Sequence, residues 1–438
     1  MGNSESQSVP TDPRFVSASR AFTHHELEDL RSLFDSLAAK SQSNAQYISP
    51  SVFQSYFGLH GPLGDRMFHL VTQERKDQHL TFEDLVVAKA TYEKGTRDDI
   101  EEFIFRLLDV NGDKFVGRSD LESVMISIFK DILCIKDNEA RSSSDQGIVN
   151  IFLNAANFSM HEEGCTEESM SFEDFRSWCT HAPSARKLLG SLLMPPDSGR
   201  PGSQIPNLLT SNDIDPSILL LRKEYAWHIG GALSQHELED WMLLYHSSVN
   251  GLSFNTFLGN ISNHQGPSVL IIKDKEGYIY GGYASQPWER HADFYGDLKC
   301  FLFQLNPKAS IFRPTGANHN LQWSSDAVIS LLNVHLLQCA INFSSADIPN
   351  GIGFGGRVSH YGVFISANFD QGHTFACSTF GSPCLSKTNR ILPEVIECWG
   401  VTQGTVLGKN DAVKGTILER FKEDRHMLNM VGLANSSE

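Results

Sequence analysis

The sequence predicts an α+β chain with an all-α first half and a β-rich second half. Three observations predict it. Up to residue 193, apolar residues recur at helical spacing behind Ser/Thr caps. From 194 to 209 the segment MPPDSGRPGSQIPNLL holds four prolines, which mark a domain boundary. Beyond it, short β-type blocks are separated by glycine clusters.

Residues 1–20, rich in Ser, Pro and Gln, read as a disordered tail. The helical region, 21–193, opens with the capping box Thr23-His24-His25-Glu26 ahead of LEDLRSLFDSL. The same device recurs at Ser234-Gln235-His236-Glu237 ahead of LEDWMLLY. Asp fills the fifth position of both H-E-L-E-D segments, so neither is the zinc motif H-E-x-x-H. A hydrophobic residue followed by Ser or Thr and a new helix recurs at Ile48-Ser49, Leu80-Thr81 and Met170-Ser171, and more weakly at Val116-Gly117. That spacing predicts helix-loop-helix units paired through a short β contact at the hydrophobic position. Residues 210–402 read as the α+β domain, and 403–438 as a C-terminal helix and tail.

Within 210–402, Pro216–Tyr225 and Gln235–Tyr245 read as helical. Strands are expected at 269–272, 278–283, 300–305, 361–369 and 394–399. The stretch Gly266 to Trp288 is a hairpin with its turn at Asp274-Lys275-Glu276-Gly277. Gly281-Gly282 inside its second strand marks a bulge or a close approach.

Composition narrows the function. The formal charge of −16 argues against a nucleic-acid partner, which needs a basic face. No segment has the ~18 apolar residues of a membrane span, and no basic start followed by an apolar run marks a secretory leader. None of the eight cysteines forms a C-x-x-C pair, so reduced thiols in a cytosolic protein are expected. The start, Met1-Gly2-Asn3-Ser4-Glu5-Ser6, fits N-myristoylation at Gly2. One such chain binds membranes only marginally, so the expected contact is reversible.

A single loop carries metal ligands. Asp109, Asn111 and Asp113 hold positions 1, 3 and 5 of an EF-hand loop, the Phe115 carbonyl position 7 and Asp120 position 12. Such clustered oxygens suit a hard cation. Two departures weaken the site. Lys114 stands where glycine would supply positive φ, at a cost of ~1–2 kcal/mol. Asp120 is one methylene shorter than the usual Glu. The expected ion is weakly bound Ca²⁺ or Mg²⁺. The other loops lack the ligand pattern and read as structural.

Downstream motifs give the hairpin its companions. They are Trp241-x-x-Leu244-Tyr245, Gly251-Leu252-Ser253-Phe254, Gly296-Asp297-x-x-Cys300-Phe301, Pro349-Asn350-Gly351-Ile352-Gly353-Phe354-Gly355-Gly356, Cys377-Ser378-Thr379-Phe380-Gly381-Ser382 and Glu394-x-x-Glu397-Cys398-Trp399-Gly400. In this order the set resembles the TLDc domain family. The resemblance implies a two-sheet β-sandwich with flanking helices and no established catalytic mechanism. Together with the Gly2 start and the EF-hand-like region, the arrangement resembles the family's myristoylated, mTOR-associated branch. That implies a membrane-associated adaptor in endolysosomal, vacuolar or oxidative-stress signalling. It would sit in the cytoplasm, peripherally on the endolysosomal or vacuolar membrane, and dock on the vacuolar proton-pumping ATPase. One departure is an apparent insertion at 324–338, between Trp323 and Cys339.

Enzymatic readings are weaker. Gly351 to Gly356 matches G-x-G-x-x-G, but a strand-type segment follows it where a dinucleotide site needs a helix. His360, His373 and Cys377 could form a Cys–His site, and Glu237, Glu394 and Glu397 an acid/base set. No spacing positions either group. The expectation is a non-enzyme. The alternatives are a cysteine-based peroxide scavenger or a calcium–myristoyl switch.

Overall fold

The computed structural model describes residues 12–41, 46–59, 61–72, 77, 79–133, 143–159, 168–291, 293–325 and 349–402. Gly2, Cys134, Cys165, Cys339, residues 326–338 and the segment 403–438 lie outside them. The chain divides into two compact units. The first runs to Trp241 and adds Gly277–Tyr280 and Phe303–Ile311, and the second takes the rest.

The first unit carries α1 (Pro13–Ser19), α2 (His24–Lys40), α3 (Pro50–Phe57), α4 (Gly61–Val71), α5 (Phe82–Lys89), α6 (Arg97–Leu108), α7 (Arg118–Leu133), α8 (Ser143–Leu153), α9 (Phe172–His181), α10 (Pro183–Leu189) and α11 (Lys223–Gly230). Helix α1 corrects the expectation of a disordered tail through residue 20. Asp12 caps it, Pro13 starts it, and Phe15 and Ala18 pack on a cluster of Phe22, Leu30 and Val86. Local capping and a small apolar contact outweigh the polar composition.

At two of its sites the recurring Ser/Thr signature is a capping box, whereas Ser49 makes no side-chain cap hydrogen bond. Thr81 with Asp84 and Ser171 with Asp174 each satisfy two orphan donors at a helix start. The hydrophobic residue before each box pairs with its counterpart in the neighbouring loop. Ile48 bridges Leu80, and β1 (Val116–Gly117) pairs antiparallel with β2 (Ser169–Met170), Val116 facing Met170. Ile48, Leu80, Val116 and Met170 are all fully buried. The helix-loop-helix units therefore form two pairs, α2 to α5 and α6 to α9, each tied by a minimal β contact.

The proline-rich segment 194–209 is a packed strap. Buried Arg200 donates to the carbonyls of Phe57, Leu192 and Met194. Trp227 Nε1 donates to the Gly202 carbonyl at 2.6 Å. Gly202 has φ +81, and a Cβ there would lie 2.5 Å from the Leu188 backbone nitrogen. Proline content marked a break in regular structure, and the arginine anchors that break to the helices.

The β-rich region holds β3 (Asn207–Leu209), β4 (Asp240–His246), β5 (Ser268–Asp274), β6 (Ile279–Ala284), β7 (Phe301–Asn306), β8 (Ser310–Phe312), β9 (Gln322–Ser325), β10 (Gly351–Phe354), β11 (Val363–Ser366), β12 (Gly372–His373), β13 (Arg390–Ile391) and β14 (Pro393–Val401). Two short helices, α12 (Ser247–Asn250) and α13 (Phe254–Ile261), follow β4. A seven-stranded sheet has the order β3-β4-β14-β5-β6-β7-β8, and a five-stranded sheet the order β13-β12-β11-β10-β9. In the first, β14 runs antiparallel to β5, with Trp399 opposite Val269 and Ile396 opposite Ile272. In the second, β9 continues through Ser324 and Ser325, which face Ile352 and Gly351 of β10. Both serines are buried, so the sheet absorbs the first two residues of the apparent insertion.

The helical reading of Gln235–Tyr245 is overturned. The box at Ser234 and Glu237 closes only a 3₁₀ turn, Gln235–Glu237, and Asp240–His246 is a strand. Trp241 and Tyr245 are both fully buried. Their i, i+4 spacing fits one face of a helix and one face of a strand equally, and sheet pairing decides between them. The Pro216–Tyr225 reading also shifts: a 3₁₀ turn covers Pro216–Ile218, and the α-helix starts only at Lys223.

Candidate functional site

Helix α6 ends at Leu108 and delivers Asp109 into the cation-type loop, which β1 and α7 close. Lys114 takes the left-handed conformation that this position demands, with φ 69°. Asp109 turns back onto the loop: its Oδ1 accepts from the Gly112 amide at 2.7 Å and its Oδ2 from the Lys114 amide at 3.0 Å. Asp113 Oδ1 accepts from the Phe115 amide at 2.8 Å. Position 8, Val116, is anchored through Met170. The backbone course and the all-oxygen donor set suit a hard cation. Among the described residues, however, no three His, Cys, Asp or Glu side chains converge as a metal cluster. Asp109 and Asp113 hold the loop's own amides.

A residue that sequence reasoning passed over sits at this loop. Arg66 of α4 donates from Nε to the Leu107 carbonyl and from Nη2 to the Asp109 carbonyl, both at 2.6 Å. Burial pulls its guanidinium pKa down, while the charges of Asp120 and Asp109 hold it up. No local pattern around Arg66 signals this role, because its partners lie some forty positions away.

In the second unit the catalytic candidates are occupied otherwise. Gly351 to Phe354 is strand β10 itself, and Gly355 and Gly356, at φ +67 and +80, open the turn toward strand β11. Thr379 Oγ1 accepts from the Gly356 amide, and Asn320 Nδ2 donates to the Gly356 carbonyl. The turn is filled by its own domain. Cys377 packs beneath Gly355, where an added Cβ would lie 2.6 Å from its sulfur. No hydrogen bond joins Cys377 to a histidine among the described residues. His360 packs on the Phe375 ring at 5.1 Å, and His373 stacks on Phe364, also at 5.1 Å. His373 belongs to a row across the sheet, Trp323–Gly353–Phe364–His373–Arg390.

The three glutamates do not form one set. Glu237 is the cap of Ser234, as its spacing indicates. Glu394 pairs at the surface with Lys273 at 3.0 Å. Glu397 is fully buried, accepts from Trp399 Nε1 at 2.8 Å and lies 3.6 Å from His246 Nε2. The buried His246–Glu397–Trp399 cluster joins β4 to β14 and was not visible in the sequence. Burial raises the Cys398 thiol to about 12 and pushes the Cys179 and Cys300 thiols up as well.

Two β-sheets and a glycine turn spent on structure are consistent with a TLDc domain. Residues 215–402 match that family. Over about half its length the chain is homologous to MTOR-associated protein MEAK7. It is 32% identical over 218 residues to the Mus musculus protein, covering 48% of this chain and 43% of that protein. It is also 32% identical over 226 residues to the Xenopus laevis protein, covering 50% and 45%. Oxidation resistance protein 1 of Rattus norvegicus is 26% identical over 159 residues, covering 36% of this chain and 16% of that protein. The matched stretch spans less than half the length of these curated relatives. Among the described residues, no helix is long and apolar enough to cross a membrane.

Proposed function

We propose that the chain is a non-enzymatic adaptor that works by docking its TLDc domain on a large membrane-bound assembly, with the vacuolar proton-pumping ATPase as the intended partner. The observation carrying this reading is that the domain's reactive side chains are committed to packing. Cys377 fills space under a glycine turn, His360 and His373 stack on aromatic rings, and the Cys398 thiol is held near 12. Nothing in that arrangement prepares a thiolate or a general base. The similarity to an mTOR-associated protein supports a protein partner. Myristoyl-Gly2 would bring the chain to an endolysosomal or vacuolar membrane, and the Asp109–Asp120 loop would make docking responsive to Ca²⁺ or Mg²⁺. Affinity capture from vacuolar membranes, with Ca²⁺ and with chelator, tests it. Recovery of ATPase subunits is expected. Their absence under both conditions sinks the reading.

A further inference from the structure

The chain has a formal charge of −16, yet between Pro349 and Leu392 its only carboxylate is Asp370, against Arg357, Lys387 and Arg390. Asp370 accepts from Ser366 Oγ at 3.1 Å, and Lys387 lies 3.5 Å from Glu276. Arg357 and Arg390 are exposed, and among the described residues neither guanidinium has an ion-pair or hydrogen-bond partner. A row of side chains joins the two. Arg357 and His360 exchange backbone hydrogen bonds across a tight turn, at 3.1 and 2.8 Å. The His360 ring lies 5.1 Å from Phe375, and Phe375 lies 5.3 Å from His373. His373 stands opposite Arg390 in the β12–β13 pair, so both side chains leave the same face of the sheet. Burial, with the nearby His360, lowers the His373 pKa, so its ring is neutral at pH 7. The turn itself is held in shape. Thr379 and Asn320 fix the Gly356 amide and carbonyl, and Ser359 takes the left-handed conformation, φ 67°, that side chains disfavour. The turn presents Val358, 43% exposed, next to Arg357.

Resting on the docking reading of this domain, we propose that the row from Arg357 through His360, Phe375 and His373 to Arg390, with Val358 at its tip, receives a short acidic segment of the partner protein. Carboxylates of that segment pair with the two guanidiniums, and its apolar groups lie on Phe375 and Val358. The surrounding charge selects this kind of partner. Screening confines electrostatic attraction to about 10 Å at 0.1 M salt, so a short segment feels the arginines and little else. A nucleic acid or a flat anionic membrane is too extended for that, and meets the −16 of the whole chain as well. A turn that is already fixed loses little freedom on binding.

Fluorescence anisotropy tests this with the full chain and a labelled decapeptide of Glu and Asp around one Leu, at 0.1 M salt. The variants are Arg357→Glu, Arg390→Glu, Val358→Ser and, as a control for net charge, Lys223→Glu at an exposed position of α11. Unchanged thermal midpoints confirm that each variant folds. Wild type should bind, each arginine reversal should weaken binding about tenfold, and the control should stay within about twofold. Val358→Ser should weaken it about threefold. No binding by wild type, or equal affinities for wild type and both arginine reversals, overturns the proposal. Phosphatidylserine vesicles form a second arm: if the reversals weaken vesicle binding more than peptide binding, the face belongs to a membrane and the proposal falls. The capture from vacuolar membranes separates the two readings. If wild type recovers no ATPase subunits while the peptide results hold, docking on that assembly fails and the acidic-segment face stands. If wild type and both reversals recover them equally, the face is overturned and docking stands.

Discussion

The ring of Phe354 occupies the space that a side chain at residue 282 would need: a Cβ built on Gly282 would lie 2.7 Å from that ring. Strand β10 of the five-stranded sheet thus rests on Gly282 of β6. Phe354 also meets Trp288 edge-on at 5.4 Å. The domain's two sheets close at this point because one strand carries no side chain there.

Gly282→Ala should therefore destabilise the TLDc domain. The obstacle is a fully buried ring with little freedom to move. Overpacking of this kind costs about 1–3 kcal/mol. Urea denaturation followed by tryptophan fluorescence measures it, and an unchanged midpoint would refute the contact.

Lys114→Gly should stabilise the helical unit. Lys114 sits at φ 69°, where a Cβ is strained. Relief of that strain is worth about 1 kcal/mol, partly offset by the greater freedom of glycine in the unfolded chain. Thermal melts without divalent ions should show a rise of a few degrees at most. A fall would mean that the lysine side chain makes a contact worth more than the strain.

His228 should make the first unit acid-sensitive. It is fully buried on α11, neither ring nitrogen has a hydrogen-bond partner, and it packs edge-on to Phe152 at 5.1 Å. Burial, with a smaller contribution from His181, lowers its pKa from 6.5 to about 3. Between those values the unfolded chain binds the proton and the folded chain does not. Stability is therefore complete above about pH 6.5 and falls as pH drops toward 3. By pH 5 the loss from this residue is about 2 kcal/mol. Urea titrations at pH 7 and pH 5 should show that loss in wild type and a smaller one in His228→Leu.

The buried thiols should be inert in the folded protein. Cys179, Cys300 and Cys398 are all raised by burial. Alkylation at pH 7.5, followed site by site by mass spectrometry, should label them only as fast as the chain opens. Rapid labelling of Cys398 in native protein would revive the peroxide-scavenging alternative.

Much of the fold was legible because the signals were local. The hairpin is found at Ser268–Asp274 and Ile279–Ala284, within two residues of its predicted strands. The hydrophobic–Ser/Thr signature marked the residues that pair, because a capping box is local, although each β contact joins two loops far apart in sequence. LEDWMLLY misled because Trp241 and Tyr245 share a face in either structure. The tail helix was missed because its contacts, Phe22, Leu30 and Val86, lie further along the chain.

Residue order by itself determined the switch from helices to sheets, the oxygen pattern from Asp109 to Asp120 and the motif series of the TLDc domain. These depend on periodicity, turn chemistry and the donors one short segment can offer. The tertiary structure alone decided that Arg66 stands beside that loop, that Glu397 is buried against Trp399 and His246, that His228 is dry and that Phe354 rests on Gly282. Arg66 and Asp109, Glu397 and His246, and Phe354 and Gly282 are each far apart in sequence. Burial and electrostatic fields act through space, and no local pattern records which distant group will supply them.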